Sequence, residues 1–150
     1  MGFDVDNLRM LVEGAIPYAK KTGVRLEDAD DAGVVRLALP PDPTNLNHVA
    51  TYHAGAIFTF GETAAGAAVL VAFDLSEYRL LAKGARIEYK RRITETLTCE
   101  LSVPKDIVEE AKRVAEAEGR ATFPVAMQMV NVDGEVAAEM TVDYHIKKLR

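Results

Sequence analysis

Cysteine is almost missing from this chain: Cys99 is the single one among 150 residues. No internal disulfide can form, a reducing compartment is expected, and a zinc site built on several thiolates is excluded. Excess positive charge is missing too. The 18 basic residues face 23 acidic ones, for a formal net charge of −5. That balance argues against nucleic acid as the main partner, because phosphate recognition requires a basic surface. Internal repeats, linkers and low-complexity tracts are also absent. The N-terminus Met1-Gly2-Phe3-Asp4 lacks the basic and apolar regions of a secretory signal, and Asp6 stands where a myristoylation motif needs Ser or Thr. The expectation is a cytoplasmic protein folded as one domain over residues 1–150.

What is present centres on one apolar stretch. Ala54 to Phe73 carries a single charge, Glu62, and follows the polar segment Asn47-His48-Val49-Ala50-Thr51-Tyr52-His53. Its length suits a bilayer crossing. Its composition does not: Ala, Gly and Thr dominate, Glu62 lies near the middle, and no Trp or Lys/Arg cluster flanks it. A buried core helix is expected instead. An unpaired ionised carboxylate inside such a helix is costly, so Glu62 must be either paired or used.

The rest of the chain surrounds that helix. Val5, Leu8, Leu11, Val12, Ala15, Ile16 and Ala19 recur at helical spacing, with Asp4 or Asp6 to cap the start and Gly23 to end an amphipathic helix of about 16 residues. Two short strands follow, around Val24–Leu26 and Val35–Leu39, joined by Asp30-Asp31-Ala32-Gly33. Period-two alternation resumes after the apolar helix at Ala85–Lys90 and Thr96–Val103. Pro104 and Gly119 bracket a charged helix over Lys105 to Glu118. Strands at Phe123–Met129 and Val136–Ile146 flank the turn Asn131-Val132-Asp133-Gly134. Strands with one apolar face suit an antiparallel sheet with one packed side. A helix that is apolar all round must be largely enclosed. The fold class is therefore α+β, a long curved antiparallel sheet wrapped around a central helix at about 54–73.

Asn47 six residues before His53, the turn His53-Ala54-Gly55, and Glu62 nine residues after the His together resemble the hotdog-fold acyl-CoA thioesterases. The similarity is greatest to the phenylacetate-pathway and 4-hydroxybenzoyl-CoA thioesterase groups and their uncharacterised relatives. The element order also matches the hotdog fold, so the resemblance spans most of the chain. It implies hydrolysis of an acyl-CoA to a free acid and coenzyme A, with coenzyme A as part of the substrate and neither a cofactor nor a metal required. Glu62 would be the nucleophile or general base. The Ala54 backbone N–H would polarise the thioester oxygen, and Asn47 would orient substrate or water. The acid and the N–H donor of one site would come from opposite subunits, implying an obligate homodimer that often pairs again into a tetramer. Two positions depart from the family pattern: Ala54 stands for the first glycine of a His-Gly-Gly turn, and Gly66 for a threonine four residues after the acid, with Thr63 a substitute.

Elementary physics reaches a similar arrangement. A helix N-terminus offers unpaired N–H groups and about half a positive charge, suited to a developing oxyanion. Glu62 lies seven residues beyond Gly55, about two turns, so both fall on one face. A second copy of the helix running antiparallel across a two-fold axis would bring acid and donor together. Apolar surroundings make such a carboxylate a better base.

For other residues a plain structural role competes. Glu62 itself would be satisfied by Asn47, Thr63 or a backbone amide. Asn47 suits a loop before a helix, and His53 suits a helix cap more than a proton shuttle. Lys83, Arg86, Lys90, Arg91 and Arg92 form a basic tract; Arg91 and Arg92 are the candidates for coenzyme A phosphates, against a charged strand edge as the plain reading. Phe58 and Phe60 are candidate acyl-pocket walls, although packing alone explains them. A non-catalytic acyl-CoA binding module on the same scaffold is the alternative function. A hotdog dehydratase fits less well, because Glu62 sits too far along the helix.

Overall fold

The computed structural model describes residues 4–150, so the reading of Met1–Phe3 as free of targeting signals lies outside the described residues. Strands β1 (Arg25–Ala29), β2 (Val35–Leu39), β3 (Tyr78–Tyr89), β4 (Leu97–Leu101), β5 (Arg120–Val130) and β6 (Val136–Lys148) form one sheet in the order β1-β2-β4-β5-β6-β3. Each neighbouring pair is antiparallel. Helix α3 (Ala54–Ala72) lies against this sheet, and α4 (Lys105–Glu118) packs beside β5 and β6. This is the hotdog arrangement expected from the element order.

The helix runs as its composition predicts. Phe60, Ala64, Ala65 and Val69 have no exposed surface, and Ile57, Ala67 and Ala68 are nearly as enclosed. Small residues let it approach the sheet closely. A Cβ placed on Gly61 would come within 2.5 Å of Met140 Sδ and 3.1 Å of Met129 Cε. Both methionines are buried, so making room means repacking them among their neighbours. An alanine in an exposed helix position would gain about 1 kcal/mol over glycine, but overpacking here costs roughly 1–3 kcal/mol. Gly61→Ala is therefore expected to lower the thermal midpoint; an unchanged or higher midpoint by calorimetry contradicts this contact.

The long hairpin β5–β6 pairs almost continuously from Arg120↔Lys147 to Val130↔Val136. Its turn has Gly134 at φ 78°, and Asn131 Oδ1 accepts from the Asp133 and Glu135 N–H groups at 3.0 and 2.9 Å. Helix α4 keeps the expected bounds, ending on Gly119 in the left-handed region at φ 82°. Strand β3 begins earlier than its alternation suggested. Most of its residues are exposed because it is a sheet edge with a single partner, β6.

The first helix differs from expectation. It is divided into α1 (Val5–Met10), one wide π-helical turn over Leu11–Ala15, and α2 (Pro17–Lys20). Pro17 is the cause: it disfavours helical geometry at the preceding residue, and Ile16 is extended at φ −99°, ψ 103°. Asp4 is the N-cap, accepting from the Asp6 and Asn7 N–H groups. This segment covers the other sheet edge. Glu13 Oε1 accepts from the Leu26 N–H at 2.8 Å, and Arg9 Nε donates to the Leu26 carbonyl at 3.2 Å. Side chains thus satisfy backbone groups that an edge strand leaves open.

Candidate functional site

His53 starts α3 from an extended conformation, and its Nδ1 accepts the Gly55 N–H at 2.8 Å. The ring is therefore a helix cap. The next amide remains open: among the described residues nothing accepts from the Ala54 N–H. The Ala54 carbonyl accepts from the Tyr89 hydroxyl at 3.1 Å, which ties the end of β3 to the start of α3. Lys90, Arg91 and Arg92 follow Tyr89 directly, so the basic tract adjoins the strand end that touches the start of α3. Arg91 is exposed and pairs with Glu135 at 2.9 Å; Arg92 is exposed.

Asn47 belongs to the loop that delivers His53. Its Oδ1 accepts from the Val49 and Thr51 N–H groups at 3.0 and 3.1 Å, and its Nδ2 donates to Thr51 Oγ1 at 2.9 Å. Neighbouring Asn45 is buried, donates to the Thr22 carbonyl, and receives the His53 N–H on its own carbonyl at 2.7 Å. Tyr52 locks the loop to β2 through its hydroxyl and the Leu39 carbonyl, 3.0 Å apart.

Glu62 occupies the one stripe of α3 left open by the sheet. It is half-buried and lines a cavity of about 330 Å³ together with Thr59, Thr63, Gly66, Leu70 and Tyr144. Its partner is neither Asn47 nor Thr63. The Tyr144 hydroxyl donates to Glu62 Oε1 at 3.1 Å. Burial, and then the adjacent Glu62 carboxylate, push the Tyr144 phenol well above its ordinary value, so it remains a proton donor at any working pH. Thr63 instead turns its hydroxyl back to the Thr59 carbonyl at 2.7 Å, and Thr59 does the same to Gly55 at 2.8 Å. Gly66 makes room for the tyrosine, since a Cβ there would lie 3.0 Å from the Tyr144 hydroxyl. Phe58 and Gly55 lie outside the cavity lining; Phe60 is fully buried on the core side.

Sequence reasoning missed Tyr144. It was one of six apolar positions on β6, and its only signal was a hydroxyl on an otherwise aliphatic face. The free thiol is not a rival nucleophile: Cys99 is buried, and that burial pushes it up to about 12.

Residues 6–146 match a family described as a domain of unknown function, DUF4442. The chain belongs to that family. No curated protein matches the sequence of this DUF4442 chain. Solved structures are similar to it over nearly their whole length. A Pseudomonas aeruginosa protein of unknown function, PA5026, described as a probable thioesterase, is 27% identical with a TM-score of 0.90, covering 99% of both chains. A mutant of thioesterase PA1618 from Pseudomonas aeruginosa is 16% identical with a TM-score of 0.77, covering 99% of this chain and 97% of that one. Thioesterase HI1161 from Haemophilus influenzae is 10% identical with a TM-score of 0.76, covering 99% and 94%. The DUF4442 chain thus has the hotdog fold of the thioesterase superfamily.

Proposed function

We propose that this protein hydrolyses an acyl thioester, with coenzyme A as the thiol. The observation that carries the reading is Glu62, a half-buried carboxylate facing an apolar cavity with a tyrosine hydroxyl on one oxygen. Its other oxygen has no hydrogen-bond partner among the described residues and can take a proton from water or attack directly. In the water route Glu62 accepts the proton as oxygen attacks the thioester carbon. The tetrahedral oxyanion forms against the Ala54 N–H, the C–S bond breaks, and the departing thiolate collects the proton. Similarity to PA5026 supports the same reaction class.

One chain cannot perform this alone. Glu62 lies eight residues beyond Ala54, about 12 Å along a helix at 1.5 Å per residue. A homodimer supplies the missing partner, with the Ala54 N–H of one copy meeting Glu62 of the other. Its surface includes the exposed edge β3, where Leu81 and Tyr89 are 62% and 46% exposed, and neighbouring Phe58 at 37%. An unprotected twelve-residue edge strand invites pairing with another chain. Arg91 and Arg92, next along the chain from Tyr89, would receive the coenzyme phosphates, and His53 and Asn47 hold the turn that aims the donor.

A thiol-release assay across aliphatic and aromatic acyl-CoAs, with sedimentation of the same sample, is expected to show turnover by a dimer or larger assembly. Turnover by a strict monomer removes the shared-site mechanism, and no release from any substrate removes hydrolysis. One observation favours the second reading, an acyl-CoA binding module: the Asn47 amide is committed to its loop rather than to the cavity. That reading predicts saturable binding without turnover.

A further inference from the structure

The cavity beside Glu62 extends beyond anything that the chemistry at the carbonyl needs. Among the described residues, Glu62 is the only charged one in its lining. Away from Glu62 the walls are aliphatic: Leu11 and Ile16 from the N-terminal segment, Leu70 from α3, and Leu75 and Leu80 beyond it. Two rings contribute, both of them tyrosines. Tyr18 is 62% exposed, and Tyr144 presents its hydroxyl to Glu62. Among the described residues no cation lines the space to receive a second carboxylate or a phosphate. Gly66 keeps the passage open beside Tyr144, since a side chain there would crowd the hydroxyl at 3.0 Å.

Length follows from helix geometry. Glu62 and Leu70 are eight residues apart on α3, again about 12 Å along its axis. A tetrahedral carbon chain advances roughly 1.2 Å per bond, as an extended backbone does over its three bonds per residue. About ten carbons span the distance, and the cavity volume of about 330 Å³ is that of a small ligand pocket.

We infer that this cavity is the acyl pocket and that it selects a straight aliphatic chain of medium length, roughly eight to ten carbons. The inference rests on the hydrolase reading for setting the carbonyl at Glu62; chain binding stands on the cavity itself. The N-terminal segment is then a specificity determinant as well as an edge cover. Its break at Pro17 leaves Ile16 extended as part of the cavity wall.

The test uses non-hydrolysable thioethers, so binding is read apart from turnover. Calorimetry with butyl-, decyl- and benzyl-coenzyme A on the wild-type protein is expected to give decyl the tightest binding, at least tenfold over benzyl, because each buried methylene adds severalfold. Leu70→Trp, which fills the end of the cavity away from Glu62, is expected to weaken decyl at least tenfold and leave butyl little changed. Leu75→Trp, at a residue 52% exposed, serves the same purpose if the first variant does not fold. Benzyl binding as tightly as decyl, or a folded variant that keeps decyl affinity, overturns the pocket assignment. Selective decyl binding with no hydrolysis of decanoyl-coenzyme A keeps the pocket and removes the hydrolase reading. Hydrolysis restricted to aromatic acyl groups does the reverse.

Discussion

Glu62→Gln lowers the rate of thioester hydrolysis by about 10²–10⁴-fold, the usual contribution of a positioned general base. The substitution is nearly isosteric. A glutamine carbonyl oxygen can still accept from the Tyr144 hydroxyl, which now lies 3.1 Å from Oε1, so the local structure keeps its buried partner. What disappears is the ability to take a proton or to attack. Stability is therefore expected to change little while kcat collapses, and thioether binding survives. Single-turnover thiol release beside a denaturation curve checks both halves. A variant that retains most of the wild-type rate removes Glu62 from the chemistry. Tyr144→Phe gives a milder loss, because it removes a donor that holds the carboxylate without removing the base.

Phe60→Ala does the opposite. Phe60 has no exposed surface, and truncating a core phenylalanine costs about 3–5 kcal/mol through lost burial and a residual cavity. At roughly 2–4 °C per kcal/mol for a domain of this size, the thermal midpoint falls by about 10 °C. Phe60 is two positions from Glu62 on the same helix yet points to the sheet, because two residues correspond to about 200° of rotation. The activity per folded molecule, measured well below the midpoint, is expected to stay near wild type. A small loss of stability would show that the sheet collapses onto the site; lost turnover in folded protein would show that the two faces of α3 are coupled.

The two variants separate what α3 does for the fold from what it does for the site, and the same division marks how far the sequence could be read. An apolar helix bearing one acid, its start at His53-Ala54, the Pro104 and Gly119 ends of α4 and the β5–β6 turn at Asn131–Gly134 all follow from local chemistry. They need only periodicity, caps and turns. The apolar spacing of the N-terminal segment carries through Pro17 and so predicts a continuous helix. The restriction that proline places on Ile16 outweighed that pattern, and the resulting bend sets one wall of the cavity.

The partner of Glu62 belongs to a different class of information. Tyr144 is 82 positions away and meets the acid only because β6 pairs where it does and α3 rests at one rotation on the sheet. The same applies to Gly66, whose missing side chain matters only beside that hydroxyl. Asn47 shows the converse: its spacing matched a site motif, while its hydrogen bonds serve the loop. The sequence by itself determined that a lone carboxylate sits in an apolar helix capped by an accessible turn, because hydrophobic period and capping are local. Tertiary structure alone decided which side of that helix stays open and which hydroxyl meets the acid, because strand register and close packing join residues that no short pattern connects.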